Sequence, residues 1–288
     1  MATAPLPRPR LRLLTLNMAH GRRRARHQAL LRRSTLAANL HLIASVLRRE
    51  GPDVVALQEA DGPSAWSGRF DHIGTLARLA GYRHAFRGEH QRIQVSLRRF
   101  GVELGLDYGT ALLSRLPLAD VASHAFRESW RDTKGFVAAA IGLPGGDAVD
   151  VVSVHLDFLH PAVRRRQVAQ LVERVRDRQR PLAVLGDFNC EWGHERTALQ
   201  LLARELSLTP FAGTLRPTYP ARRPLVCLDW ILVSEELDFV AYRTLGDPLS
   251  DHLGVIAEVE LRRTAESPPA WAGAPPPESL PALSALAG

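Results

Sequence analysis

Short apolar runs that stop on a polar residue recur along this chain, and they constrain its fold more than any other feature. Leu11-Arg-Leu-Leu-Thr-Leu16 stops at Asn17, and Val54-Val-Ala-Leu57 stops at Gln58-Glu59. Val151-Val-Ser-Val154 stops at His155, and Leu182-Ala-Val-Leu185 stops at Gly186-Asp187-Phe188-Asn189. Runs this short and this apolar read as buried strands. Between the first two, Leu36, Leu40, Ile43, Ala44 and Leu47 recur at helical spacing from Ser34, and Gly51-Pro52 halts the pattern. Two strands joined by one helix tend to lie side by side, so their polar tips reach a common edge.

The remaining pattern fixes the class. A second helix is expected over 71–80, stopped by Gly81. Strands are expected at 108–114, 119–126, 135–142 and 148–156, with Pro144-Gly145-Gly146 turning a hairpin between the last two. A helix after Pro161, a strand at 182–186, a helix near 196–206 and strands at 228–233, 237–245 and 253–262 complete the order. That order is neither a dinucleotide-binding α/β pattern nor a barrel. Two mixed sheets packed face to face with helices outside satisfy it.

A chain of 288 residues, 45% hydrophobic and 23% charged, has ordinary globular composition and can bury one large core. The expected division is a loose Pro-rich segment 1–9, a domain over 10–263 and a Pro/Ala-rich tail over 264–288 that buries too little to order itself. No run has transmembrane length, and the N-terminus lacks a signal-peptide pattern. Cys190 and Cys227 have no metal-type spacing. These features predict a cytoplasmic protein that is not integral to a membrane and has no stable protein partner. The net charge of +7 comes from arginine, with Lys134 as the sole lysine. Such a surface suits phosphate-bearing partners, and coding bias gives the same composition.

Each polar tip has two readings. Asn17 offers a carbonyl oxygen to a metal or closes a turn. Glu59 is a hard-ion ligand or a solvated loop charge. His155 is catalytic or structural. Asp187 and Asn189 flank Phe188, so an extended backbone points both to one side. Asp229 opens the apolar run Trp230-Ile231-Leu232-Val233 and needs a partner, or lies at the surface. His252, in Ser250-Asp251-His252, is the candidate partner, because a carboxylate fixes an imidazole tautomer. The stretch Arg22-Arg23-Arg24 follows the first strand and is expected to rim the site. Arg164-Arg165-Arg166 adds to that field or forms a solvated helix face.

Taken in order, Leu-Thr-Leu-Asn17, Leu-Gln-Glu59, Tyr108-Gly-Thr-Ala-Leu-Leu-Ser-Arg115, Ser-Val-His155-Leu, Gly-Asp187-Phe-Asn189, Leu-Asp229-Trp-Ile-Leu and Ser250-Asp251-His252 resemble the endonuclease/exonuclease/phosphatase family. That family includes DNase I-like nucleases, exonuclease III, neutral sphingomyelinases and inositol polyphosphate 5-phosphatases. The resemblance covers roughly residues 11–262. It implies a four-layer α/β/β/α sandwich with a metal-dependent site at one end of both sheets. It further implies Glu59 as the main Mg²⁺ or Mn²⁺ ligand, assisted by Asn17 and Asp251. Asp187 would position or deprotonate the attacking water, and Asn189 would orient the phosphate. His252, paired with Asp229, and His155 would contact the scissile phosphate. Lys134, Arg22, Arg23 and Arg24 are expected to bind substrate phosphate, and Lys134-Gly135 is similar to an element of bacterial sphingomyelinases.

The expected activity is a divalent-metal-dependent phosphodiesterase using in-line water attack on nucleic acid or a phospholipid head group. A phosphomonoesterase acting on inositol phosphates or other small esters, and a binding module without turnover, are the alternatives.

Overall fold

The computed structural model describes residues 8–262, except 24, 26, 28–30, 65–66, 89, 98–101, 128–133 and 194–196; for 91–97 and 102–106 it describes the backbone alone. The expected loose segment falls mostly, and the expected tail almost wholly, outside the described residues. Pro9 is described, and its carbonyl accepts from the Leu261 N–H.

Along the chain come β1 (Arg10–Asn17), α1 (Arg33–Glu50), β2 (Val54–Asp61), α2 (His72–Ala80), β3 (His84–Arg87), β4 (Gln91–Leu97) and β5 (Val102–Ser114). They are followed by β6 (Leu118–Ala125), β7 (Gly135–Gly142), β8 (Ala148–His155), α3 (Pro161–Val175), β9 (Leu182–Asp187) and α4 (Ala198–Glu205). The last elements are β10 (Leu208–Pro210), β11 (Asp229–Ser234), β12 (Leu237–Thr244) and β13 (Val255–Leu261). One sheet runs β12-β13-β1-β2-β5-β3 with β4 also on β5; the other runs β10-β11-β9-β8-β7-β6.

Alternation along the strands builds the layers. In β1, Leu11 and Leu13 point between the sheets, where they meet Val137, Val151, Leu185 and Ile231. Leu14 and Leu16 point the other way, under Leu40, Ile43 and Leu47 of α1. On the far side, Val152, Val154 and Val184 lie under Val168, Leu171, Leu199 and Leu202 of α3 and α4. The result is the expected α/β/β/α sandwich. β7 and β8 are buried along their whole length, which explains their unbroken apolar sequence.

The helix ends follow local chemistry. Gly51 and Gly81 adopt positive φ beyond α1 and α2, and their N–H groups cap the Leu47 and Ala77 carbonyls. Asp71 and Thr197 accept from backbone N–H groups at the starts of α2 and α4.

Each sheet holds one parallel pair, β1–β2 and β8–β9, bridged by α1 and α3. These crossovers bring the C-terminal tips of all four strands to one end. The sequence pattern did not anticipate β3, β4, β10 or the first half of β5. It also ended β2 too early. That strand continues through a bulge, since Leu57 faces Ala111 while Ala60 faces Gly109. The extra residue falls at Gln58–Glu59, and Glu59 takes φ 50°.

Candidate active site

Register alone assembles half of the site. His155 of β8 lies beside Asp187 of β9, and Asp187 lies opposite Asp229 of β11. Side chains in register share a face, so three titratable groups form a row across neighbouring strands. The opposite sheet delivers Asn17 at the tip of β1 and Glu59 at the bulge of β2. The turn 250–252, just before β13, adds His252. Ser250 anchors that turn, since its hydroxyl donates to the Asn17 carbonyl and accepts from the His252 N–H.

One carboxylate oxygen is the hub. Asp187 Oδ2 accepts from Asn17 Nδ2 at 3.0 Å and lies 3.5 Å from His155 Nε2 and 3.7 Å from His252 Nε2. Its other oxygen accepts from the Asn189 N–H at 2.9 Å. Asn189 holds a left-handed φ of 51°, and its Nδ2 donates to the Leu156 carbonyl. Asp229 Oδ2 meets His252 Nδ1 at 2.9 Å, and the Tyr219 ring packs on the His252 ring at 4.8 Å. Asn17, His155, Asp187, Asp229 and His252 are all buried.

A second chain stands beside the first. Asn17 Nδ2 also reaches Glu59 Oε1 at 3.4 Å. Glu59 Oε2 lies 3.2 Å from His20 Nε2, and His20 Nδ1 lies 2.7 Å from Asp61 Oδ1. Neither His20 nor Asp61 stood out in the sequence. Both lie within three residues of an expected site residue; the β2 bulge turns Asp61 inward and the left-handed turn after β1 turns His20 inward.

The remaining expected residues fall as follows. Asp251 pairs with Arg22 at 2.5 Å and so faces the basic stretch. Arg22 also donates to the Ala25 carbonyl. Arg23 has a buried Nε with no hydrogen-bond partner, and Arg24 lies outside the described residues. Lys134 is buried, with Nζ 6.0 Å from the Phe158 ring centre. Both cysteines are free thiols.

The charges are sharply separated. Burial opposes charge on His252, but Asp229 and Asp187 outweigh it and raise its pKa to about 10. Burial and the nearby Lys134 push His155 well below the usual imidazole value. Burial and Asp229 lift Asp187 to about 6 against the pull of His252. Burial acts upward on Glu59 too, yet the cationic His20 and Lys134 bring it down to about 2. At neutral pH the same carboxylate oxygen therefore has an imidazolium on one side and a neutral imidazole on the other. Groups poised this way can give and take protons around one reacting centre.

The donor set fits a hard divalent cation. Glu59 and Asp187 approach one another through Asn17, and Asp229 keeps a buried oxygen with no hydrogen-bond partner. Side-chain atoms of Asp187, Asp229 and His252 lie within 4.8 Å of one another, and with His252 charged the two carboxylates are the donors of that group.

The sequence profile of the Endonuclease/Exonuclease/phosphatase family matches residues 14–252, from β1 to His252. The chain belongs to that family. Its members are hydrolases of phosphate esters and typically depend on a divalent metal. Among solved structures, the chain is similar to a family member from Beutenbergia cavernae (24% identity, 88% of this chain and 72% of that one, TM-score 0.66). It is also similar to the human Nocturnin catalytic domain with bound sulfate (21% identity, 90% and 96%, TM-score 0.64). Among curated proteins it is similar to sphingomyelinases of Mycobacterium bovis and Mycobacterium tuberculosis, with 28% identity over an alignment of 142 residues that covers 41% of this chain. The match spans 29% of the length of those relatives. Among the described residues, no helix is long and apolar enough to cross a membrane.

Proposed function

We propose that this family member is a divalent-metal-dependent phosphodiesterase that cleaves its substrate by in-line attack of water. The observation that carries the reading is the convergence of Asn17, His155 and His252 on Asp187 Oδ2. Glu59 is the principal carboxylate for Mg²⁺ or Mn²⁺, with Asn17 beside it. Such an ion neutralises charge on the phosphate and lowers the pKa of water.

The protein's own groups do the rest. Asp187 orients the attacking water and accepts its proton, a role suited to a carboxylate lifted to about 6. His252, held charged by Asp229, donates to a phosphate oxygen and protonates the leaving group. His155 and Asn189 orient the phosphate, and Lys134 adds positive charge to the same space. Arg22 and Arg23 rim the mouth and attract an anionic substrate. Asp251 holds Arg22 in place and helps Asp229 and Asp187 keep His252 charged.

The test is a panel of bis(p-nitrophenyl) phosphate, single- and double-stranded DNA, sphingomyelin and small phosphomonoesters, each with Mg²⁺ or EDTA. Diester cleavage that EDTA abolishes and Glu59→Gln removes is the expected result. Release of inorganic phosphate from monoesters without diester cleavage overturns it in favour of a phosphatase.

A further inference from the structure

The turn after β1 is held in a conformation that its sequence does not favour. Ala19, His20 and Gly21 take φ of 47°, 56° and 71° in succession. Only the glycine does so without steric penalty, because a Cβ crowds the carbonyl in the left-handed region. Several bonds hold the turn. The Ala19 N–H donates to Asn17 Oδ1, the Gly21 N–H to the Met18 carbonyl, and Asn39 Nδ2 to the Gly21 carbonyl. None of these requires a histidine at the middle position.

The histidine has its own contacts. Its ring lies between two carboxylates of β2, with Nδ1 2.7 Å from Asp61 and Nε2 3.2 Å from Glu59. The Tyr108 ring meets it edge-on at 5.2 Å. Asp61 is fully buried, so this carboxylate cannot swing out to water. The Asp61–His20–Glu59 chain repeats the order of Asp229–His252–Asp187, and Asn17 Nδ2 joins the two. The difference lies in what the imidazole faces. His252 points at the hub of proton transfer, whereas His20 points at the carboxylate that receives the ion.

We infer that His20 is a positioning residue for the ion-binding carboxylate: Asp61 orients the imidazole, and the imidazole fixes Glu59 at the β2 bulge. This rests on the proposed role of Glu59. A carboxylate oxygen that accepts one hydrogen bond keeps a second lone pair for a cation, so the clamp and the ion are compatible. Backing of this kind typically governs ion affinity by about 10–100-fold.

Mn²⁺ binding to the full chain, followed by electron paramagnetic resonance, tests the inference without any substrate. His20→Gly removes the imidazole and relieves the strained backbone but leaves the buried Asp61 without its partner, so binding is read on the fraction that circular dichroism shows to be folded. It is expected to weaken Mn²⁺ binding about tenfold or more, with Asp61→Asn weakening it in the same direction. His20→Gln keeps a donor toward Glu59 and is expected to restore part of the affinity. Wild-type or tighter binding in both His20→Gly and Asp61→Asn, alongside loss of binding in Glu59→Gln, overturns the role of His20 alone. A wild-type chain that takes up no Mn²⁺ overturns the proposed ion site and this role with it.

Discussion

At the residue scale, each histidine behaves according to its partners. His252 keeps its charge because Asp229 sits behind it. Asp229→Asn preserves the shape and removes that charge. We expect turnover to fall by roughly 10²–10⁴-fold, and the His252 pKa to drop from about 10 in an NMR titration. An unchanged titration in the variant would refute the pairing. His90 is the contrary case. It is buried where Gly109 of β5 and Gly135 of β7 leave room for its ring, and its Nε2 meets Thr110 Oγ1 at 2.8 Å. Burial, with Arg87 adding, pushes its pKa down to about 3. The unfolded chain therefore binds a proton near pH 6.5 that the folded chain refuses until about pH 3. Stability should fall as pH drops through that window, by about 2–3 kcal/mol at roughly pH 4.5. Urea midpoints of the wild type and His90→Gln, compared at roughly pH 7.5 and roughly pH 4.5, read the effect; the variant should lose less.

The sequence was most legible at this scale where a polar residue closes an apolar run. Asn17, Glu59, His155 and Asp187 stood out as candidates because each closes a buried strand, but each tip alone had two readings, and their roles were implied only by the family resemblance of the motifs taken in order. His20 and Asp61 were not readable. Their inward turn depends on an extra residue in β2 and a left-handed turn after β1, and neither leaves a mark in hydrophobic periodicity. The pairing of Asp251 with Arg22 was hidden for a different reason, since it joins groups more than 200 positions apart in the chain.

At the element scale, β9 carries the hub, and its fit against β8 depends on one missing side chain. A Cβ on Gly186 would lie 1.9 Å from the Val154 carbonyl oxygen, a backbone atom that cannot step aside. Gly186→Ala should wedge β9 from β8 and cost on the order of 2–4 kcal/mol. Because Asp187 is the next residue, activity should fall by more than the folded fraction does. Circular dichroism melting beside the specific activity of the folded fraction separates these effects. The elements that escaped the sequence are the short or edge ones. β3 has four half-buried residues, and β10 has three residues at a sheet edge. Neither is long enough for alternation to register, whereas α1 and the fully buried β7 and β8 declare themselves through unbroken patterns.

At the scale of the whole molecule, a net charge of +7 built mainly from arginine should draw in polyanions whether or not catalysis occurs. Binding of the protein to single-stranded DNA is expected to weaken about tenfold or more between roughly 50 and 200 mM salt. Glu59→Gln should follow the same salt dependence, because recruitment and chemistry use different groups. Fluorescence anisotropy at several salt concentrations decides this, and a salt-independent affinity would speak against a charge-driven encounter.

The two parallel strand pairs hand their tips to one end from opposite sheets. Asn17 and Glu59 belong to one layer, while His155, Asp187 and Asp229 belong to the other. A guest seated among them acts as a rivet through the sandwich. Prising the layers apart then requires expelling it, so saturation at a hundredfold above Kd would deepen the native well by about 2.7 kcal/mol. That reinforcement would be felt in core amides far from the cleft as well as at its lip.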